Sequence, residues 1–334
     1  MNTLGKILTL TTFGESHGPA MGGILDGMPA GVEIDQDELQ RFVDRRRTGR
    51  HVGSSARSEQ DRVEVLSGIW QGKTLGTPIG FVVRNGDARS ADYDDIARCY
   101  RPNHADYTWE AKFGIRDPRG GGRASARETV ARVVAGGIAM QALIPLGVTI
   151  DASVQQVGSH LGVADMDQAI ADAVSEGDTL GGIISCTIKG VPAGLGEPVF
   201  GKLHAQLAAA VMSIPSVHGF EYGDGFEMAG KRGSEVMDRF ERRDDGSIGT
   251  ATNHSGGIQG GISNGEDITM HIAFKPVPTL MRDVPTVDRE GNPVTLHPRG
   301  RHDACVLPRA LPVVEAMAAL VILDNYLIRK TNSL

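Results

Sequence analysis

The 334-residue chain carries 34 Lys and Arg against 41 Asp and Glu, a formal net charge of −7, with 22% charged and 40% hydrophobic residues. That balance suits a globular chain and argues against a dedicated nucleic-acid binder, which would be basic overall. No apolar run approaches the roughly 18 residues that a membrane span needs, and the opening Met1 to Lys6 lacks the basic-then-apolar layout of a signal peptide, so no membrane association and a cytoplasmic location are expected.

In chain order, residues 6–10 read as a strand. Asp35 followed by Glu38 has the spacing of a capping box and opens a helix toward Arg47. Residues 63–66 and 79–84 read as strands. Ser125 and Glu128 repeat the capping signature ahead of an Ala-rich helix over 126–143, closed by Pro145 and Gly147. Strands follow over 148–157 and 182–188, a helix over 202–212, strands over 220–222 and 268–274, and a last helix over 311–328. Val154 to Val157 and Ile268, Met270, Ile272, Phe274 alternate in part, which predicts one solvated or functional face. The elements lack the ~30-residue βαβ beat of a doubly wound sheet. The expected class is therefore α+β in layers, as a single large domain over 1–334 with no linker or internal repeat.

Cys99, Cys186 and Cys305 are scattered, which points to reduced thiols, with neither a disulfide framework nor a zinc site, and no metal is expected. Glycine is in excess, 44 of 334, about twice the ~7% average. It concentrates in loops where backbone can turn through positive φ or approach a ligand. Ser67 to Thr74 ends like a P-loop but has Ser67 where the first glycine belongs. The glycines at 120–122 and 223–225 lack the last glycine of a dinucleotide fingerprint.

Positive charge is clustered despite the acidic total. Arg41, Arg45, Arg46, Arg47, Arg50 and Arg57 fall together, with Asp44 the only acid among them. Residues 98–132 hold eight Lys and Arg against four acids. His297, Arg299, Arg301, His302 and Arg309 form a third group. Such clusters in an acidic chain suit small polyanions, because the guanidinium forks onto phosphate and carboxylate. Arg119-Gly120-Gly121-Gly122-Arg123-Ala124-Ser125 runs into a capped helix and reads as an anion cradle. His17, between glycines in Phe13-Gly14-Glu15-Ser16-His17-Gly18, and His104, in Arg101-Pro102-Asn103-His104-Ala105-Asp106, are candidate general acids. Asp303, in Gly300-Arg301-His302-Asp303, could act as a base or orient one.

These motifs resemble the chorismate synthase family, together with Asp44-Arg45-Arg46-Arg47, Ala126-Arg127-Glu128, Gly223-Asp224-Gly225-Phe226, Asn253-His254-Ser255-Gly256-Gly257-Ile258 and Phe274-Lys275-Pro276. The likeness runs in family order from residue 4 to about residue 328. It implies a β-α-β sandwich, a homotetramer, and conversion of 5-enolpyruvylshikimate 3-phosphate to chorismate and phosphate by a 1,4-anti elimination that needs reduced FMN. By the same resemblance His17 would protonate the departing phosphate and His104 would control protonation of the reduced flavin. Asp303 would assist loss of the C6 hydrogen. Arg46 and Arg50 would face the substrate phosphate or NADPH, a candidate source of reducing equivalents. Flavin contacts map onto Arg123, Ala124, Ser125, Pro215, Ser216, Gly260, Lys275, Pro276, Val277, Pro278, Thr279 and Arg301. Val277 and Pro278 stand where the family commonly has small hydroxyl residues. No extra segment suggests a built-in reductase, so an external flavin reductase is expected as partner. A flavin-dependent NADPH oxidoreductase and a non-catalytic sensor of phosphorylated ligands are the competing readings.

Overall fold

The computed structural model describes residues 1–49, 51–54, 60–86, 98–119, 121–297 and 302–332. Arg50, Arg57, Arg299 and Arg301 of the cationic clusters, with Gly120 and Gly300 of the glycine motifs, lie outside the described residues.

Two antiparallel sheets enclose a layer of helices. The first sheet has the spatial order Thr3–Leu4, Thr9–Gly14, Ala20–Asp26, Ile79–Arg84, Val63–Val65. The second has Val217–Tyr222, Ile268–Phe274, Gly182–Lys189, Thr149–Val157. The helices are α1 (Gln36–Asp44), α2 (Asp106–Phe113), α3 (Thr129–Leu143), α4 (Val163–Ser175), α5 (Leu203–Met212) and α6 (Leu307–Lys330). α3 and α6 lie side by side between the sheets, α3 against the first and α6 against the second. The layering is the β-α-β sandwich that the resemblance implies.

Burial explains the sequence pattern. Ile268, Met270, Ile272 and Phe274 are buried on the helix layer while the alternate residues are half-buried, as period-2 alternation requires. The middle helices have sheet on one side and helix on the other, so they are apolar nearly all round. This corrects the expectation about apolar runs. α6, with 24 residues, and the helical stretch Ala126–Leu146 are both long and apolar enough to cross a membrane, and both are mostly buried inside the sandwich. The acids that α6 keeps are used internally. Asp324 accepts from the amides of Lys6, Ile7 and Leu8 at 2.9, 2.8 and 2.9 Å, pinning the start of the chain to its last helix. Glu315, 1% exposed, accepts from both Nη1 and Nη2 of Arg45 (2.6 and 2.8 Å) and from the Ala152 amide (3.1 Å). α3 and α6 touch backbone to backbone at Gly136, where a Cβ would stand 2.2 Å from Ala316 Cβ.

Local signals hold in part. Asp35 caps α1, accepting from the amides of Asp37 and Glu38 at 2.8 and 3.0 Å. The helix stops at Asp44, short of Arg47, because the next amides bond three residues back in a tight turn. That turn sends Arg45 to Glu315 and Arg46 into the site described below. Ser125 caps a short 3-10 turn, Ala126–Glu128, by accepting from the Arg127 amide, and α3 proper begins at Thr129. Glu128 turns to Arg132 (3.0 Å) instead of back to the cap. The strand expected over 6–10 lies at Thr9–Gly14, and α6 begins a turn earlier than expected, at Leu307, with Pro308 in its first turn, where a missing amide costs nothing. The P-loop-like segment is a hairpin, Ile69–Trp70 with Lys73–Thr74.

Candidate active site

Two features of the fold converge on one place. α3 and α6 run in the same direction: Ala126, Thr129, Val306 and Arg309 meet at one end, and Ala142 and Leu323 at the other. Both helices therefore aim their N-termini, the positive ends of their dipoles, the same way. At that end a cavity of about 340 Å³ opens. Its wall brings together Arg46 from the turn after α1, Asp61, Arg101 and His104 from the proline loop, Ala124 and Arg127 from the cradle, Pro215 and Ser216 after α5, Lys275 and 277–279, and His302, Asp303 and Arg309 before and in α6. The three cationic clusters, far apart in sequence, thus each give a member to one wall. Five side chains there are cationic (Arg46, Arg101, Arg127, Lys275, Arg309) against two carboxylates, Asp61 and Asp303. The site is built for anions.

Each cation is held. Arg46, 3% exposed, donates from Nε to Thr129 Oγ1 (2.9 Å), from Nη1 to Asp61 Oδ2 (3.1 Å) and from Nη2 to the Ala126 carbonyl (2.9 Å). Burial pushes its pKa down to about 9 against the pull of Asp61, which leaves the guanidinium charged at neutral pH. Arg127 pairs with the other oxygen of Asp61 and donates from Nε to Asn85 Oδ1 at 2.9 Å. Burial would raise the Asp61 carboxyl, but Arg46 and Arg127 together hold it below its ordinary range. Arg309 pairs with Asp303 and donates from Nε to the Arg46 carbonyl at 2.9 Å. Lys275 donates to the Asn103 carbonyl at 2.7 Å. Ser216 takes φ +73, and its carbonyl accepts from the Lys275 amide at 2.8 Å.

His104 is mostly buried. Its Nδ1 lies 3.0 Å from Arg101 Nη2 and 3.2 Å from Asp106 Oδ1. Burial lowers its pKa more than Asp106 raises it, so the imidazole is neutral at pH 7. Asp106 is 4% exposed; burial would raise its carboxyl, but Arg101 and His104 drive it far below the usual range.

His17 does not line this cavity. It sits in the turn after Thr9–Gly14, close enough to Asp117 for its charge to depress that carboxyl, behind the main effect of Arg119. A second cavity of about 360 Å³ lies beside the first, sharing Ala105 and Ala124 and lined by Glu15, Asp117, Arg119 and Arg123 among others. Arg123 bonds to Thr12 Oγ1 (2.7 Å) and faces this second space. Asn85 joins the two regions: its Nδ2 donates to the carbonyls of Glu15 (3.1 Å) and Gly18 (2.8 Å), clamping the His17 turn, while its Oδ1 takes the bond from Arg127.

Of the residues expected from sequence, Arg46, His104, Ala124, Pro215, Ser216, Lys275, Val277, Pro278, Thr279 and Asp303 line the first cavity. Arg123 lines the second; His17, Ser125 and Pro276 line neither. Gly260 is elsewhere. It turns the hairpin Ile258–Gln259 with Ile262–Ser263, and the next residue's carbonyl bonds the Leu203 amide at the start of α5. Pro215 and Ser216 follow the other end of α5, a 10-residue helix and so about 15 Å long. Arg50 and Arg301 lie outside the described residues. Sequence reasoning gave no role to Asp61, Arg101 or Arg127. The last two stand inside the quoted motifs, which was the available signal; Asp61 had none.

Comparison with known proteins decides the family. The model of the family described as chorismate synthase matches residues 8–327. A chorismate synthase of Parabacteroides distasonis is 52% identical over 99% of this chain and 99% of its own length. One of Phocaeicola vulgatus is 50% identical over 100% of this chain and 99% of its own. The chain belongs to the chorismate synthase family. The solved structure "Crystal Structure of Chorismate Synthase" superposes with a TM-score of 0.77 at 28% identity, covering 97% of this chain and 93% of that one. As a member of the chorismate synthase family the chain is a lyase acting on a small molecule, and the cationic cavity at the paired helix N-termini is its candidate active site.

Proposed function

We propose that the chain converts 5-enolpyruvylshikimate 3-phosphate to chorismate and inorganic phosphate by a 1,4-anti elimination, as one catalytic domain over 1–334. The observation that carries this reading is the single cavity where five cations, two helix N-termini, a neutral histidine and two carboxylates meet. The substrate brings one phosphate and two carboxylates, which the cationic wall suits. Phosphate leaves with the C3–O bonding pair and a hydrogen leaves C6, so the ring gains a double bond with no net redox change.

Arg46 and Arg127 serve as anchors because their guanidiniums are already fixed, and a fixed donor loses little freedom when an anion arrives. Arg50 shares with Arg46 the proposed role toward the substrate phosphate or NADPH. His17 protonates the departing phosphate from the adjoining turn. Asp303 assists loss of the C6 hydrogen, its carboxylate held in place by Arg309.

The donor set fits FMN. Lys275, Ser216 and the backbone of 277–279 offer polar contacts, and Pro215, Val277, Pro278 and Val306 offer an apolar wall. Ala124, Ser125, Pro276, Arg123 and Arg301 complete the proposed contact set, while Gly260, at the far end of α5, stands apart from this cavity. Reduced FMN, when bound, supplies the electron density that promotes phosphate loss. His104 lines the cavity, and its neutral ring can accept a proton at one nitrogen and release one from the other. NADPH as electron source, an external flavin reductase, a homotetramer and a cytoplasmic location belong to the same reading.

The test is anaerobic: purified protein, photoreduced FMN and 5-enolpyruvylshikimate 3-phosphate, with phosphate and chorismate both quantified. One-to-one release over many turnovers per flavin is expected. Flavin oxidation without phosphate release would sink the reading.

A further inference from the structure

A buried carboxylate that none of the roles above uses stands between the two anion anchors. Asp61 is 2% exposed, lines the cavity, and gives one oxygen to Arg46 (3.1 Å) and the other to Arg127. Arg46 and Arg127 are 3% and 5% exposed. Two guanidiniums buried this close repel each other, and water cannot screen them. Asp61 is the acid that faces both.

Its backbone is unusual too. Asp61 has φ +47, a conformation rare outside glycine that persists only where the surroundings impose it. Among the described residues, one side chain grips this backbone on both sides. Gln40 of α1 donates from Nε2 to the Asp61 carbonyl (3.1 Å) and accepts at Oε1 from the Val63 amide (3.0 Å). Gln40 Nε2 also donates to Asp44 Oδ1 at 2.9 Å. The series Gln40, Asp61, then Arg46 and Arg127 therefore passes the orientation of α1 to two donors in the cavity wall.

We infer that Asp61 is a positioning residue for substrate binding, holding Arg46 and Arg127 apart at a fixed spacing so that the two guanidiniums present their charge to the anionic oxygens of the substrate from set positions. Asp61 does not touch the substrate in this scheme, and it exchanges no proton. The inference rests on the proposed elimination only for the identity of the anion.

The charge and the backbone grip can be tested separately. Asp61→Asn keeps size and tolerance of positive φ while removing the charge. Gln40→Ala leaves the cavity wall intact and withdraws the backbone grip. Affinity for 5-enolpyruvylshikimate 3-phosphate is read by calorimetry, and KM and kcat by the anaerobic assay, beside wild type. In Asp61→Asn, Kd and KM rise about tenfold or more with kcat within about threefold, the scale of a lost hydrogen bond to a charged group. Gln40→Ala shifts KM in the same direction by less.

If Asp61 were only a counter-ion, removing its charge would make the cavity more positive. Kd would then fall or stay level, and that overturns the inference. A kcat loss with KM unchanged overturns it as well. Should Asp61→Asn not fold, Gln40→Ala decides: a raised KM supports the positioning role and an unchanged KM refutes it. A wild type that makes no chorismate defeats the proposed reaction instead, and the wild-type arm separates the two failures.

Discussion

The ammonium of Lys275 reaches across to the carbonyl of Asn103 at 2.7 Å. It fastens the strand end that carries 275–279 to the loop that carries His104. Asn103 itself has φ +58, so this loop keeps a tight bend that the bond supports. A proposed flavin contact and a proposed proton carrier are thereby set by one hydrogen bond.

Lys275→Met, which keeps the stem and removes the charge, should raise the FMN Kd about tenfold. It should also lower kcat at saturating flavin, because the His104 loop loses its tether. Fluorescence titration of FMN and the anaerobic assay check the two halves. An unchanged Kd would remove Lys275 from the flavin site.

His104→Ala should lower kcat by roughly 10²–10⁴-fold, the range for general acid–base groups, with a far smaller change in substrate binding. The histidine also leaves a mark on stability. Its native pKa lies below the ordinary 6.5 because burial disfavours the charged ring. The unfolded chain therefore takes up a proton that the native state refuses. This contribution is complete above pH 6.5 and is lost as pH falls toward the native value. Urea midpoints followed from pH 7.5 to 5 should fall more steeply in wild type than in His104→Gln. Parallel curves would contradict the buried, neutral ring.

Glu315 and Arg45 should behave as a coupled pair. Glu315→Ala strips a buried acceptor from Arg45 and from the Ala152 amide, at a cost of about 3 kcal/mol. Arg45 is exposed over 43% of its side chain, so Arg45→Ala acts mainly by leaving Glu315 buried without its cation. A double-mutant cycle by chemical denaturation should show the pair costing clearly less than the two singles added. Strict additivity would mean that the geometry carries no coupling.

Gly136→Ala tests the α3 and α6 contact. The new Cβ would stand 2.2 Å from Ala316 Cβ and 2.8 Å from the Ala316 carbonyl oxygen, and neither can rotate away. Overpacking should cost about 1–3 kcal/mol or more, read as a lower unfolding midpoint. A companion Ala316→Gly change should recover part of it.

Much of the sandwich was legible because burial leaves a pattern. The Ile268–Phe274 strand announces its inward face by alternation, and Asp35 announces the start of α1. The Ala20–Asp26 strand is not among those read from the sequence, and Gly22 and Gly23, a residue type that weakens a strand, interrupt its apolar run. Their role is different: a Cβ on Gly22 would strike the Phe13 ring at 2.5 Å, and one on Gly23 the Phe81 ring at 2.6 Å. Those glycines admit aromatic rings from neighbouring strands, which no local signal encodes. α4 did carry a readable stripe in Met166, Ile170 and Ala173. In the site, the cationic clusters were visible but their meeting was not, since Arg46, Arg101 and Arg309 join only through the tertiary fold. Asp61 shows the same limit: its importance lies in partners 15 and 66 residues away.

The helix at the centre of the molecule is also the last element of the fold. Until α6 (Leu307–Lys330) has been made, the second sheet lacks the helix it packs on, α3 lacks its partner, and the Asp324 carboxylate that receives the amides of Lys6, Ile7 and Leu8 does not exist. At about 5–20 residues per second, those three amides wait on the order of 15 to 60 seconds for their acceptor. During synthesis the growing chain therefore carries open apolar sheet faces. Those faces close only once α6 has emerged, and until then they are the surface most open to aggregation.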